Sequence, residues 1–99
     1  MGYHTTYELS WDDESFELPL DFQEETGLYK EDNYSKYNTW INSEDNMLAL
    51  SEIYPDVLFT LDGYGDEYGD IWKQYYKDGK YYHSHARIVY DDYDETKLA

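Results

Sequence analysis

The chain has 99 residues, a length typical of one small domain. Its 23 acidic side chains face seven Lys and Arg, and the net charge of −16 at pH 7 excludes nucleic acid and anionic membranes as direct partners. The sequence contains no cysteine, which excludes disulfide bonds and thiolate metal sites, and no apolar run approaches the length of a membrane-spanning helix.

The N-terminal third predicts one strand and one helix. Apolar and polar residues alternate with period two from Tyr3 to Trp11, which predicts a half-buried strand over 3–11. A short helix is predicted near 19–26, because proline suits a first helical turn and the glycine at 27 suits a helix end. The apolar residues that this segment offers to a core are Leu18, Leu20 and Phe22.

The middle of the chain predicts a second helix, preceded by a candidate strand. Alternation over 35–41 is typical of a strand. Ser43 is a favourable N-cap for a helix over 44–53, and Pro55 stops that helix. Its predicted apolar side consists of Met47, Leu48, Leu50, Ile53 and Tyr54.

The C-terminal part predicts a meander of three strands, over 57–62, 70–77 and 80–90. Asp78-Gly79 is a signal for a two-residue hairpin turn, which needs positive φ at both central positions. In the last strand Tyr82 and Ile88 fall on one face, and the histidines at 83 and 85 on the other. Across the chain, the residues expected to be buried are Tyr7, Leu9, Leu50, Phe59, Trp72 and Ile88.

These elements predict one α+β domain over 1–99, whose residues 92–99 form a mobile tail. Aromatic residues make up 20% of the chain, which distinguishes it from disordered acidic segments. The expected architecture is a mostly antiparallel sheet of four or five strands with two short helices on one face, loosely ferredoxin-like.

The run YPDVLFTLDGYGDEYGDIWKQYYKDGK, within residues 40–94, resembles a small α+β domain that recurs in uncharacterised phage, plasmid and mobile-element proteins. That resemblance implies a fold and a mobile-element setting, and no catalytic residues. In size and acidity only, the chain also resembles the phage anti-CRISPR and anti-restriction proteins that mimic DNA.

The stretch DGYGDEYGD, residues 62–70, raises the question of an ion-binding loop. An EF-hand needs acidic or amide side chains at alternate positions, whereas the third position here is Tyr64. The stretch has no lysine for a phosphate loop, and its acids repel phosphate. It is therefore interpreted as an exposed acidic and aromatic patch.

Two histidines raise the question of zinc. His83 and His85 lie two residues apart on a predicted strand, so both imidazoles point to the same side. A nearby carboxylate would complete a three-ligand site. Sequence alone favours polar surface over a metal site, and no nucleophile motif points to an enzyme.

The functional hypothesis rests on the acidic clusters. Proteins bind DNA through Lys and Arg, and a rigid domain with exposed carboxylates can occupy the basic groove that would otherwise bind DNA. Tyrosines among the acids add contact area, as at many interfaces. The predicted partner-binding residues are Asp12, Asp13, Glu14, Asp62, Tyr64, Asp66, Glu67, Tyr68, Asp70, Asp91, Asp92, Asp94 and Glu95.

These features predict a DNA-mimic inhibitor of a nucleic-acid-binding defence protein, of the anti-CRISPR or anti-restriction type. The partner would be a basic protein, and neither a cofactor nor a metal is expected. The alternative is an acidic module for another basic protein, such as a nuclease-toxin immunity protein or an antitoxin. A salt-adapted acidic domain is a third interpretation. The expected state is a monomer or homodimer in the cytoplasm, that of the host cell if the gene belongs to a phage.

Overall fold

The computed structural model describes residues 4–65, 70–85 and 95–97, and it confirms the α+β class. The strands are β1 (Thr5–Trp11), β2 (Ser35–Asn38), β3 (Phe59–Gly65), β4 (Ile71–Lys77) and β5 (Lys80–His85). The helices are α1 (Leu20–Thr26) and α2 (Ser43–Ile53), and short 3-10 turns occupy Lys30–Asp32 and Glu95–Lys97.

The five strands form one antiparallel sheet in the order β2-β1-β3-β4-β5. The ladder between β1 and β3 runs from Thr5 opposite Gly65 to Trp11 opposite Phe59. Residues just after β1 and residues just after β3 therefore lie at opposite ends of the sheet. This separation matters for the acidic clusters.

The sheet buries one face, which we call the helix-side face, because both helices pack there. Alternate side chains of β1 and β3 point into the core from this face, as period two requires. The helices and their flanking loops close the core from the other side. The buried apolar residues are Tyr7, Leu9, Leu18, Leu28, Trp40, Met47, Leu50, Val57, Phe59, Leu61 and Tyr76.

The burial predictions have mixed outcomes. Tyr7, Leu9, Leu50 and Phe59 are buried as predicted. Trp72 is only half-buried and packs against the edge of the core. The sixth residue, Ile88, lies outside the described residues, as does the end of the last predicted strand over 86–90.

Two apolar helix residues, one expected to be available to the core and one on the predicted apolar side of its helix, are exposed. Leu20 begins α1 and lies about 200° around the helix from Phe22, which packs against the core. Ile53 in α2 likewise lies off the stripe formed by Met47 and Leu50. Their exposed fractions of 68% and 67% show that both point towards solvent.

The cap of α2 lies one residue earlier than predicted. The carbonyl of Asn42 accepts the first helical hydrogen bond, from the N–H of Asn46 at 2.9 Å, so Ser43 is already helical. The cap of α1 is as expected: Gly27 adopts a left-handed φ of 79° and donates its N–H to the carbonyl of Gln23.

Two strand boundaries also differ from prediction. β2 ends at Asn38, because Trp40 turns into the core and donates its indole N–H to Asn46 Oδ1 at 2.9 Å. β3 begins at Phe59 and continues to Gly65, so the first four residues of DGYGDEYGD are strand and not loop.

The hairpin between β4 and β5 has the two-residue turn that Asp78-Gly79 predicts. Asp78 and Gly79 have φ of 51° and 72°, as a type I′ turn requires. The N–H of Gly79 donates to Ser51 Oγ at 2.9 Å, which ties the turn to the C-terminal part of α2.

Tyr76 makes folding sensitive to alkaline pH. It is fully buried, its hydroxyl donates to Gln74 Oε1 at 2.6 Å, and burial, followed by the nearby charges of Glu44 and Tyr81, raises its pKa. The phenol ionises at about pH 10 when unfolded. Its stabilising contribution is therefore complete below pH 10 and declines as pH rises from there towards the higher folded value.

We expect Tyr76→Phe to flatten this alkaline decline, at a cost of about 1 kcal/mol at neutral pH for the lost hydrogen bond. Urea unfolding at neutral and alkaline pH measures both effects. Tyr82→Phe, which removes an exposed phenol, should leave the decline unchanged. An identical alkaline decline in Tyr76→Phe and the wild type would contradict this account.

Candidate binding surfaces: an acidic helical layer and an open sheet face

The two segments that cover the helix-side face, 12–29 and 43–58, contain eleven acidic residues and neither lysine nor arginine. We call these acids the acidic helical layer. All eleven side chains are exposed, so their charge faces solvent and not the core. The members are Asp12, Asp13, Glu14, Glu17, Asp21, Glu24, Glu25, Glu44, Asp45, Glu52 and Asp56.

Hydrogen bonds hold several of these carboxylates in place. Asp12 Oδ1 accepts the N–H of Leu58 at 2.9 Å, which links the end of β1 to the start of β3. Asp13 Oδ1 accepts both the hydroxyl and the N–H of Ser15, and these bonds lower the pKa of Asp13. The acids at this end of the layer are thus part of an ordered turn.

The basic side chains lie outside the layer. The ammonium of Lys36 lies 4.3 Å from the ring centroid of Trp40 and donates to the carbonyl of Thr26, and burial lowers the pKa of Lys36. Lys73 Nζ lies 3.4 Å from Asp62 Oδ1, the one ion pair within the residues that the structure describes. The layer therefore keeps its negative charge unneutralised by lysine across the described part of the molecule.

The other face of the sheet, which we call the open sheet face, has a different character. Both helices lie on the opposite side, and this face presents exposed aromatic and aliphatic side chains together with more lysines than acids. Tyr37 and Tyr82 are 60% and 63% exposed. Its charged strand residues are Glu8, Asp62, Lys73, Lys77 and Lys80, and its exposed apolar residues are Tyr37, Tyr64, Ile71 and Tyr82.

The structure separates the predicted partner-binding residues. Asp62 and Tyr64 lie on the open sheet face, Asp62 in the middle of β3 and Tyr64 near its end, where the N–H of Gly65 donates to the carbonyl of Asp70 at 2.7 Å. The cluster over 12–14 lies past the opposite end of the sheet. At ~3.3 Å per residue it begins roughly 20 Å from Tyr64, which pairs with Thr6, and roughly 13 Å from Asp62, which pairs with Glu8. Asp62 is also paired with lysine, which weakens its contribution to a negative patch.

The remaining predicted residues are only partly covered by the structure. Glu95 is exposed on the C-terminal 3-10 turn. The others, Asp66, Glu67, Tyr68, Asp91, Asp92 and Asp94, lie outside the described residues.

Sequence reasoning omitted most of the acidic helical layer from the candidate site. Glu17, Asp21, Glu44, Glu52 and Asp56 stand singly or in one pair along the sequence, so a local cluster of acids does not point to them. The signal that identifies them is the absence of Lys and Arg from 12–29 and 43–58. That absence becomes meaningful only when both segments prove to cover the same side of one sheet.

Comparisons with known proteins leave the site to be interpreted from its own geometry. The chain matches no family model, no curated protein and no solved structure. Across 4–65, 70–85 and 95–97, three or more His, Cys, Asp or Glu side chains nowhere converge as metal ligands. The same residues include no helix of the length and apolarity needed to span a membrane.

The concentration of charge on one layer predicts salt-dependent stability. Self-repulsion among the eleven acids opposes folding, and salt screens it over a Debye length of about 30 Å at 0.01 M but about 8 Å at 0.15 M. We expect the melting temperature to rise between these two ionic strengths, as measured by differential scanning calorimetry. A melting temperature that stays constant would mean that the charges are compensated locally.

Proposed function

We propose that the protein is a DNA-mimic inhibitor that covers the basic nucleic-acid-binding surface of another protein with its acidic helical layer. The observation that carries this proposal is the eleven exposed acids on one side of the sheet, with no basic residue among them. A protein that binds DNA presents Lys and Arg to the phosphates. An array of carboxylates is negatively charged like the phosphates and can bind the same Lys and Arg in place of DNA.

The arrangement of the acids supports this proposal. Asp21 and Glu25 are one turn apart on α1, or about 6 Å, and Glu44 and Glu52 are about 12 Å apart along α2. Helices and hydrogen-bonded turns fix the backbone that carries these side chains. A preordered surface loses less conformational entropy on binding than a flexible acidic tail would lose.

The class of partner follows from the charge. A basic nucleic-acid-binding complex of a host defence system, of the CRISPR or restriction type, would be inhibited by occlusion of its DNA site. Such a role would place the protein in the cytoplasm of the host cell. Electrostatic steering should make association fast at low salt and much slower as salt rises.

The open sheet face favours a second candidate function. Exposed tyrosines and Ile71 beside three lysines are typical of a protein–protein contact and are not needed to imitate DNA. An acidic module for one specific basic protein, such as a nuclease-toxin immunity protein or an antitoxin, would use this face for specificity. In that case Tyr64→Ala with Tyr82→Ala should lower the affinity for the partner. The affinity for a partner that contacts only the acidic helical layer should not change.

Affinity capture tests the proposal. The immobilised protein is exposed to nuclease-treated host lysate at low salt, and bound proteins are eluted first with duplex DNA and then with a salt step. DNA mimicry predicts that a nucleic-acid-binding protein is released by the duplex. Release by the salt step alone, with no protein displaced by DNA, would contradict DNA mimicry and favour the second candidate.

A further inference from the structure

Two histidine rings lie in contact, tilted by 58° to each other, on the helix-side face of β5. His83 Nε2 and His85 Nδ1 are 3.1 Å apart, and the ring centroids are 4.4 Å apart. Both side chains are exposed, and they point the same way because they are two residues apart on a strand. The pair lies on the same side of the sheet as the acidic helical layer, two residues along β5 from Tyr81, whose hydroxyl hydrogen-bonds Glu44. The proposed function does not use the pair.

Buried polar groups set the orientation of this pair. Gln74 lies directly opposite His83 on β4, and its amide nitrogen is 3.0 Å from His83 Nδ1. Gln74 is itself 6% exposed and is held by the hydroxyl of the fully buried Tyr76. The ring of Trp72 flanks His83, with centroids 5.4 Å apart.

This orientation directs the second nitrogen of His83 towards His85. Metal-binding histidines are commonly held by a hydrogen bond that the other ring N–H donates to an acceptor. Gln74 Oε1 accepts from the Tyr76 hydroxyl, so the Gln74 NH2 donates to His83 Nδ1 and the proton of the neutral ring lies on Nε2. Metal binding through Nε2 therefore requires the Gln74 amide to turn, so that Oε1 accepts from Nδ1–H and the Tyr76 hydroxyl accepts from the NH2.

We infer that His83 and His85 form a two-histidine chelate for a borderline divalent transition ion, with Zn²⁺ as the ion of choice. Two nitrogens bound to zinc at about 2.0–2.1 Å lie about 2.9–3.4 Å apart for bond angles between 90° and the tetrahedral value. The separation of 3.1 Å falls in this range. Imidazole favours zinc, copper and nickel over calcium and magnesium, which prefer oxygen ligands.

The affinity should be modest and the ion exchangeable. In the described part of the chain no third His, Cys, Asp or Glu joins the pair, so water fills the other coordination positions. Since His83 Nδ1 accepts from Gln74, the N–H between the two histidine rings is His83 Nε2–H. Zinc needs both lone pairs, so this proton moves to another ring nitrogen or is released, and acid competes with the metal.

Zinc titration of the full chain tests the site at physiological ionic strength, by calorimetry and by NMR of the imidazole groups. We expect Zn²⁺ to shift the signals of His83 and His85 together and to leave those of His4 unchanged. His83→Ala and His85→Ala should each weaken zinc binding at least tenfold, while His4→Ala, the matched control, should retain wild-type affinity. Mg²⁺ and Ca²⁺ should not shift the imidazole signals.

Gln74→Leu separates orientation from ligation. It keeps both imidazoles, so the affinity for zinc should fall less than in either alanine variant. Circular dichroism checks that this variant keeps the fold. Zinc binding that is unaffected by both histidine replacements would assign the metal to carboxylates and overturn the site. Imidazole signals that do not respond to Zn²⁺ in the wild type would identify the two rings as a hydrogen-bonded pair only.

Discussion

Replacing Gly63 by alanine is expected to destabilise the domain by about 1–3 kcal/mol, the usual cost of overpacking. Gly63 is buried in β3 directly opposite Trp72 of β4, and the indole lies flat against its Cα. An added Cβ would lie 2.1 Å from Trp72 Cε2, so the ring would have to leave its place beside Tyr7. Alanine suits a strand better than glycine by roughly 0.5–1 kcal/mol, which offsets only part of the cost.

A double-mutant cycle isolates this contact. In the Trp72→Ala background the space above residue 63 is empty, so Gly63→Ala should be neutral or slightly stabilising there. Urea unfolding of the four proteins gives the coupling free energy, and tryptophan fluorescence reports the displaced ring. An equal cost in both backgrounds would show that the indole does not lie against Gly63.

The second large effect concerns binding. Glu17→Lys with Glu24→Lys reverses two exposed charges of the acidic helical layer that make no hydrogen bond within the described residues. Each exposed charge is worth about 0.2–1 kcal/mol, and reversal replaces an attraction by a repulsion. Two reversals together should therefore weaken binding to the captured partner by about tenfold, as measured by surface plasmon resonance.

A matched variant controls for net charge. Glu8→Lys with Glu31→Lys changes the net charge equally but alters the open sheet face and the first 3-10 turn. We expect a small loss of affinity from this control, mostly in the association rate. Asp66→Lys with Glu67→Lys tests the acidic stretch DGYGDEYGD, residues 62–70. Equal losses in all three variants would mean that only total charge matters and that no layer is specifically engaged.

Much of the fold follows from local patterns. The alternation from Thr5 to Trp11, the Asp78-Gly79 turn and the glycine after α1 each determine one element through sterics or burial. Boundaries were less accurate where a tertiary contact outweighs the local signal. Trp40 leaves the strand pattern because its indole reaches Asn46, and Gly63 continues a strand because Trp72 covers it.

The candidate site was harder to predict than the fold. Acids far apart in sequence share one side of the sheet only because 12–29 and 43–58 both pack on the helix-side face. A pattern within a short stretch of sequence cannot show that these two segments pack on the same face. Conversely, Asp62 stands in the densest acidic stretch, yet the strand pairing places it beside Lys73. The separation of 3.1 Å between the two histidine nitrogens likewise depends on Gln74 of the neighbouring strand.

The most direct test of DNA mimicry is a competition titration on the captured partner. A fluorescent duplex is bound to the partner at saturation, and the protein is added while anisotropy and complex mass are both followed. DNA mimicry predicts that the duplex is displaced completely, with an apparent affinity that falls as the duplex concentration rises. A stable ternary complex, in which partner, duplex and protein are bound together without loss of affinity for either, would contradict it.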